Sequence, residues 1–221
     1  MTTGTAMRIE AADSAALLTL AQWLSPAFPV SGFAYSHGLE AAIAAGDVTD
    51  AAGLEAWVGD LLALGSGRAD AILLCAALRG EDADTLAATA RALAASAERL
   101  EETEALGSAF AATLAALGMD VPAAPYPVAV GVAARTLGLP AEVVAAQYLQ
   151  AFAATLIGAA VRFMPLGQSA GQGVLTRLRP VVLAVAAEAA EAGPEDIATC
   201  VPGADIAAMR HETMDVRIFR T

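Results

Sequence analysis

Apolar positions recur along most of this chain at the three-to-four residue spacing of buried helix faces, and nowhere with the alternation of a strand. Leu17, Leu20, Ala21 and Leu24 share one face of a helix running to about Leu24, with Asp13 or Ser14 as its cap. A second helix starts near Ser36 and stops at Gly46. Thr49 or Asp50 caps a third, on which Leu54, Trp57, Val58, Leu61 and Leu62 recur. Gly65-Ser66-Gly67 reads as a turn before a short apolar helix from Asp70 to Leu78. Asp82 to Leu117 divides into two helices near Ala95 to Glu98, and Gly118 ends the run.

Pro127 and Pro140 each stand at the start of a helix, the first ending near Gly138. The second carries Val144, Tyr148, Phe152 and Leu156 on one face. After Pro165-Leu-Gly-Gln, helix resumes from about Ser169 to Glu191, with a kink or renewed start at Pro180. Gly193-Pro194 opens a short helix, and a last one covers Asp205 to about His211. The expectation is one compact all-α domain of about ten helices over residues 13–221, preceded by a frayed leader at 1–12.

Composition sharpens this. The 221 residues are 57% hydrophobic and 16% charged, enough for a sizeable core and too apolar for wholesale disorder. All 12 basic residues are arginine, which excludes Schiff-base lysine chemistry and a P-loop. The net charge of −12 argues against a nucleic-acid partner. Cys75 and Cys200 have no paired spacing and read as reduced core thiols of a cytoplasmic protein. Residues 1–12 lack a signal-peptide core. Val143 to Val161 is uncharged and long enough to cross a layer of roughly 30 Å. Its Gln147, Gln150 and Thr155 favour a buried central helix over a membrane span.

Enzymatic constellations are missing: the chain has no Walker A sequence, H-E-x-x-H or G-x-S-x-G. The adjacent His211-Glu212 is a weak metal signal, because consecutive helical side chains diverge by about 100°. Glu98, Glu101, Glu102 and Glu104 read as a solvated helix face. The expectation is a protein that is not an enzyme and holds no resident cofactor or metal.

Three stretches remain unusual. Ser25 to Glu40 is an apolar, Pro- and Gly-constrained segment that crowds Phe28, Phe33 and Tyr35, so it either plugs a core or forms a binding surface. Glu40 within it suits a first-turn carboxylate at a helix N-terminus or a partner contact. Pro165 to Gln172 contains two Gly-Gln pairs, suited to a polar junction, a water-filled passage or a helix joint. The tail, Met209 to Thr221, puts three arginines beside Ile218 and Phe219 on an acidic protein. It reads as a docking element rather than a free terminus.

These stretches together resemble the urease accessory protein F family. Pro29-Val-Ser-Gly-Phe-Ala-Tyr-Ser-His-Gly-Leu-Glu40 is similar to its signature Pro-Val-Gly-Gly-Phe-Ser-Tyr-Ser-x-Gly-Leu-Glu, with Ser31 for a usual glycine and Ala34 for a usual serine. Pro165 to Gln172 is similar to Pro-Leu-Gly-Gln-x-x-Gly-Gln, and Tyr126-Pro127 before an apolar helix fits too. The tail resembles His-Glu-Thr-x-Tyr-Ser-Arg-Leu-Phe-x-Ser, departing at Asp215, Val216 and Thr221.

The resemblance, over residues 17–221, implies an all-α homodimer that is not itself a hydrolase. It implies a scaffold working with a second accessory protein that contacts apo-urease, and with a nickel-carrying GTPase, to deliver nickel to apo-urease. Carried over by motif, the partner-binding residues are Pro29, Gly32, Phe33, Tyr35, Ser36, His37, Gly38, Glu40, Gly167, Gln168, Gly171, Gln172, His211, Glu212, Arg217, Phe219 and Arg220. Of these, His211, Glu212, Arg217, Phe219 and Arg220 are assigned to the second accessory protein. The first motif and the Gln168/Gln172 joint are assigned to the surface used by GTPase and metal. The alternative within the same system is an activator of the GTPase acting through an arginine.

Overall fold

The computed structural model describes residues 11–221, so most of the segment expected as a leader lies outside the described residues. Among those residues are ten α-helices, three short 3-10 turns and no strand. The helices are α1 (Ala11–Trp23), α2 (Leu39–Ala45), α3 (Ala51–Leu64), α4 (Ser66–Arg79), α5 (Ala83–Ala92), α6 (Ala97–Ala116), α7 (Tyr126–Ala134), α8 (Ala141–Phe163), α9 (Gln168–Glu191) and α10 (Pro202–His211). The all-α expectation holds.

Local chemistry sets most boundaries. Asp50, Asp82 and Ser96 cap α3, α5 and α6 by accepting the N–H of Gly53, Thr85 and Arg99. Gly46, Gly80 and Gly138 end their helices or turns in the left-handed region that costs a side chain energy. Asp13, expected as a possible cap, lies instead within the first turn of α1. The inward residues of α1 are Ala16, Leu20 and Trp23, while Ala21 is exposed, so the expected face was rotated. Trp23 decides the rotation, because its large ring packs edge-on to Phe110 at 5.9 Å.

The expected turn at residues 65–67 shrinks to Gly65 alone, and α4 starts at Ser66 rather than Asp70. A Cβ on Gly65 would come within 3.1 Å of the Leu61 carbonyl oxygen, and one on Gly67 within 3.0 Å. Helix α9 continues through Pro180, which sits on its exposed side, so no renewed start occurs there. Helix α10 begins earlier than expected, with Pro202 in its first turn.

Helix α4 is the centre, buried from Ala71 to Ala77 on every side and packed by α3, α7, α8 and α9. Small residues permit this: a Cβ on Gly131 of α7 would lie 2.4 Å from the Leu74 carbonyl oxygen. The apolar helix expected at the centre, α8, lies beside α4 and along α9, with one face partly open. Both α8 and the α3–α4 run are long and apolar enough to cross a membrane, and both spend most of that surface inside the bundle.

The constrained opening stretch plugs the core with two of its rings and leaves the third outside. Phe28 and Tyr35 are buried, and the Phe28 ring meets Phe110 at 5.6 Å, whereas Phe33 is 60% exposed. The stretch takes left-handed backbone at Ser31 (φ 62°), between Phe28 and Phe33, and again at His37 (φ 52°) and Gly38 (φ 74°), just before α2.

Candidate functional site: the docked C-terminal segment

The first motif and the tail are folded onto each other. The Ser36 N–H donates to the Thr221 carbonyl oxygen at 2.8 Å, and the Ser36 hydroxyl bonds the same oxygen. The Arg220 N–H donates to the Ala34 carbonyl at 2.7 Å. Thr221 Oγ1 accepts from the His37 N–H at 3.2 Å and donates to Glu102 Oε2 at 3.1 Å. Phe219 is buried, with the Arg162 guanidinium 4.7 Å above its ring centre, and Arg162 also donates to the Phe33 carbonyl at 2.7 Å.

Glu40 is the main anchor. It sits in the first turn of α2, as expected for a helix-terminus carboxylate, yet is only 1% exposed. Its two oxygens accept the N–H groups of Ile218 and Phe219 at 2.8 and 2.9 Å, and Oε2 lies 3.1 Å from His211 Nε2. The other ring nitrogen of His211 is 2.7 Å from Glu98 Oε2, and Glu98 Oε1 pairs with Arg217. Glu212 turns away from its neighbour His211 and accepts the Ala97 N–H at 2.8 Å, as diverging helical side chains require. Gly38 makes this closure possible, since a Cβ there would lie 2.5 Å from the Ala208 nitrogen of α10.

A second polar cluster lies just inside. Arg99 bonds Glu102 at 2.6 Å, and Tyr148 donates to Asp70 at 3.0 Å. His37 stacks near Phe152, with centroids 4.8 Å apart, and its Nδ1 lies 3.2 Å from Glu102 Oε2 but out of line for a hydrogen bond. Burial, helped by the Arg99 charge, pushes His37 well below the ordinary imidazole range, so the ring is neutral. Burial also raises Asp70 and Glu102 above the ordinary carboxylate range, against the pull of Arg99. These groups line the polar end of a cavity of about 360 Å³ whose walls include Leu24, Val30, Leu106 and Phe152. Its rim carries Phe33, Arg162 and Gln168.

The polar joint at 165–172 divides in role. Gly167 opens α9 at φ 77°, and Gly171 admits Val161 and Ile157 of α8, which a Cβ would meet at 2.7 and 3.1 Å. Gln168 and Gln172 are exposed. Pro29, Glu212, Arg217 and Arg220 are exposed as well, whereas Tyr35, Ser36, His37, Gly38, Glu40, His211 and Phe219 are buried; Gly32 is intermediate.

Several participants escaped the sequence reading. The acidic run was expected to be a solvated face, but Glu102 is 3% exposed and Glu98 turns inward to His211. Their i, i+4 spacing around Arg99 was the available signal, since it places both on one side of α6. Asp70, Tyr148 and Arg162 carried no signal, because Asp70 and Tyr148 meet from α4 and α8 and Arg162 reaches Phe33 and Phe219 far away in sequence. Cys75 is buried as expected, but Cys200 is exposed and not a core thiol. No group of three or more His, Cys, Asp or Glu is arranged to hold a metal ion among the described residues.

This geometry defines an all-α protein whose densest polar cluster fastens its own C-terminal segment beneath an exposed rim. Similarity then specifies the class. The UreF family profile matches residues 48–179. The urease accessory protein UreF of Cereibacter sphaeroides (strain KD131 / KCTC 12085) is 60% identical over 209 residues, covering 94% of this chain and 100% of that protein. Those of Jannaschia sp. (strain CCS1) and Paracoccus denitrificans (strain Pd 1222) are 53% and 54% identical, covering 96% and 94% of this chain and 97% of each relative. The chain belongs to the UreF family of urease accessory proteins, and its role lies in urease maturation. Its relatives are named accessory proteins rather than enzymes.

Proposed function

We propose that this chain is a scaffold for urease maturation, acting as a homodimer in the cytoplasm. It joins a second accessory protein that contacts apo-urease to a nickel-carrying GTPase, and nickel is the cargo delivered to apo-urease. The observation that carries this reading is the convergence of the first motif and the tail into one surface. Glu40 and Ser36 hold the tail from beneath, while Phe33, Val216, Arg217, Ile218 and Arg220 stay exposed along it. Val216 is 81% exposed and Ile218 67%, an unusual display of aliphatic side chains beside arginines, which suits a protein interface.

Within the partner-binding set, the exposed residues make direct contacts and the buried ones shape the tail. His211 and Phe219 therefore act by positioning Arg217, Ile218 and Arg220 for the second accessory protein. Pro29, Phe33, Gln168 and Gln172 provide the surface for the GTPase and the cargo.

The test is size-exclusion chromatography with light scattering on this chain alone and mixed with the second accessory protein and the GTPase. A dimer that takes both into one species supports the scaffold. Arg220→Ala and Ile218→Asp should weaken capture of the second accessory protein while leaving the dimer folded. An unchanged complex in both variants would remove the tail from the interface. GTP turnover with and without this chain separates scaffolding from activation of the GTPase.

A further inference from the structure

The cavity of about 360 Å³ exists because one face of α8 carries small side chains. Ala151, Ala154 and Gly158 line it, and a Cβ added to Gly158 would meet nothing within 4 Å. At its inner end stand two groups with hydrogen-bonding capacity to spare, Asp70 and Arg99. Asp70 accepts the Tyr148 hydroxyl at Oδ2, and no cation lies within ion-pairing distance of it among the described residues. Arg99 reaches Glu102 and His37 through Nη1, at 2.6 and 3.5 Å, while a guanidinium has five N–H donors spread over three nitrogens. The Arg99 charge acts on Asp70, yet no ion pair joins the two.

We propose that this cavity binds a small neutral molecule that ends in a primary carboxamide or urea group and carries an apolar body. The two spare groups set the head. Its carbonyl oxygen accepts from the Arg99 guanidinium, and its adjacent NH2 donates to the Asp70 carboxylate. Charge points the same way. An anion at that end faces the carboxylates of Asp70 and Glu102, and a cation faces the guanidinium of Arg99. A neutral group with one accepting and one donating side meets neither repulsion. It also matches a donor and an acceptor that are costly to keep inside a protein unmatched.

The walls set the body. Leu24, Val30, Leu106 and Phe152 offer only apolar surface to it. The volume stands at the lower end of the range of small-molecule sites, roughly 300–1,000 Å³, which suits a short alkyl chain or a single ring. Phe33 and Gln168 are exposed at the rim, so a ligand can enter from the surface. The bond from Tyr148 of α8 fixes the Asp70 carboxylate of α4 in place before any ligand arrives. This site goes beyond the scaffold reading and does not rest on it.

Isothermal titration calorimetry on the full chain tests it with three probes of one length: hexanamide, hexanoate and hexylammonium. Hexanamide should bind saturably and raise the melting temperature. Each ion should bind at least about tenfold more weakly, because one face of its head meets a like charge. Gly158→Leu sends a side chain into open space, so the fold should persist, which circular dichroism checks, while hexanamide affinity falls about tenfold or more. Asp70→Asn keeps the shape and removes the charge, and should weaken hexanamide about tenfold, the loss of one hydrogen bond to a charged group. No saturable binding of hexanamide up to about 20 mM would overturn the proposal. So would ions that bind as well as the amide, or an affinity unchanged in Gly158→Leu or in Asp70→Asn.

Discussion

The carboxylate of Glu40 accepts the backbone N–H of Phe219 at 2.9 Å, across 179 positions of sequence. A side chain bonded to backbone fixes where the tail runs without depending on the identity of the tail's own side chains. Asp215 and Val216 are both exposed, and Glu40 holds the backbone of Ile218 and Phe219 just beyond them.

Replacing Glu40 with Ala should be costly. It strips the Ile218 and Phe219 N–H groups and the buried His211 of their acceptor, so the expected loss is roughly 3–5 kcal/mol, as for breaking one side of a buried pair. Urea unfolding monitored by circular dichroism measures it. A loss under about 1 kcal/mol, the range of an ordinary exposed contact, would show that the tail contributes little to the fold.

His37 predicts an acid-side instability. Its folded form is neutral because burial holds its pKa well below 6.5, while the unfolded chain takes up a proton below that value. The unfolded state then binds more protons, so stability falls as pH drops through 6.5 and toward the folded value. His37→Asn should flatten the stability profile on that side of neutrality. Asp70 and Glu102 act with the opposite sign. Their raised values favour the folded state as pH falls toward their ordinary 3.8 and 4.5. Thermal melts across this range distinguish the two contributions.

Two left-handed positions should respond oppositely to substitution. Ser31 holds φ 62° with an exposed side chain. Ser31→Gly relieves about 1–2 kcal/mol of backbone strain and forfeits about 0.5–1 in chain entropy, a net gain of roughly 0–1.5 kcal/mol. Gly38→Ala brings a Cβ to 2.5 Å from the Ala208 nitrogen, which backbone cannot yield cheaply. It should displace α10 and expose the tail to limited proteolysis.

The two thiols should separate cleanly. Burial pushes Cys75 up to about 11, and it is shielded within α4, while Cys200 is exposed. A thiol reagent at neutral pH should modify Cys200 at once and Cys75 only after denaturation. Rapid labelling of both would mean that α4 is not the closed centre of the bundle.

Much of the fold was legible because its signals are local. Helical periodicity, the cap at Asp50 and the stops at Gly46 and Gly138 depend on neighbours within one or two turns. The three motif stretches were legible as motifs, from proline, glycine and aromatic spacing that no simple connector needs. The rotation of α1 was not, since it turns on Trp23 finding Phe110. Nor was the identity of the centre: α4 was read as a short apolar helix, and only packing by four others buries it on every side.

By itself, then, the order of residues determined an all-α chain with constrained segments at 25–40, 165–172 and 209–221, because backbone propensity and periodicity act over a few residues. Only the tertiary structure decided that the first and last of these lie together. Glu98 and Glu102 read as a solvated helix face, Glu40 as a helix-terminus carboxylate or partner contact, and His211 and Arg217 as parts of a docking tail. Bringing α2, α6 and α10 to a single point removes their water and leaves each the other's partner, and that pairing is a property of the packed bundle alone.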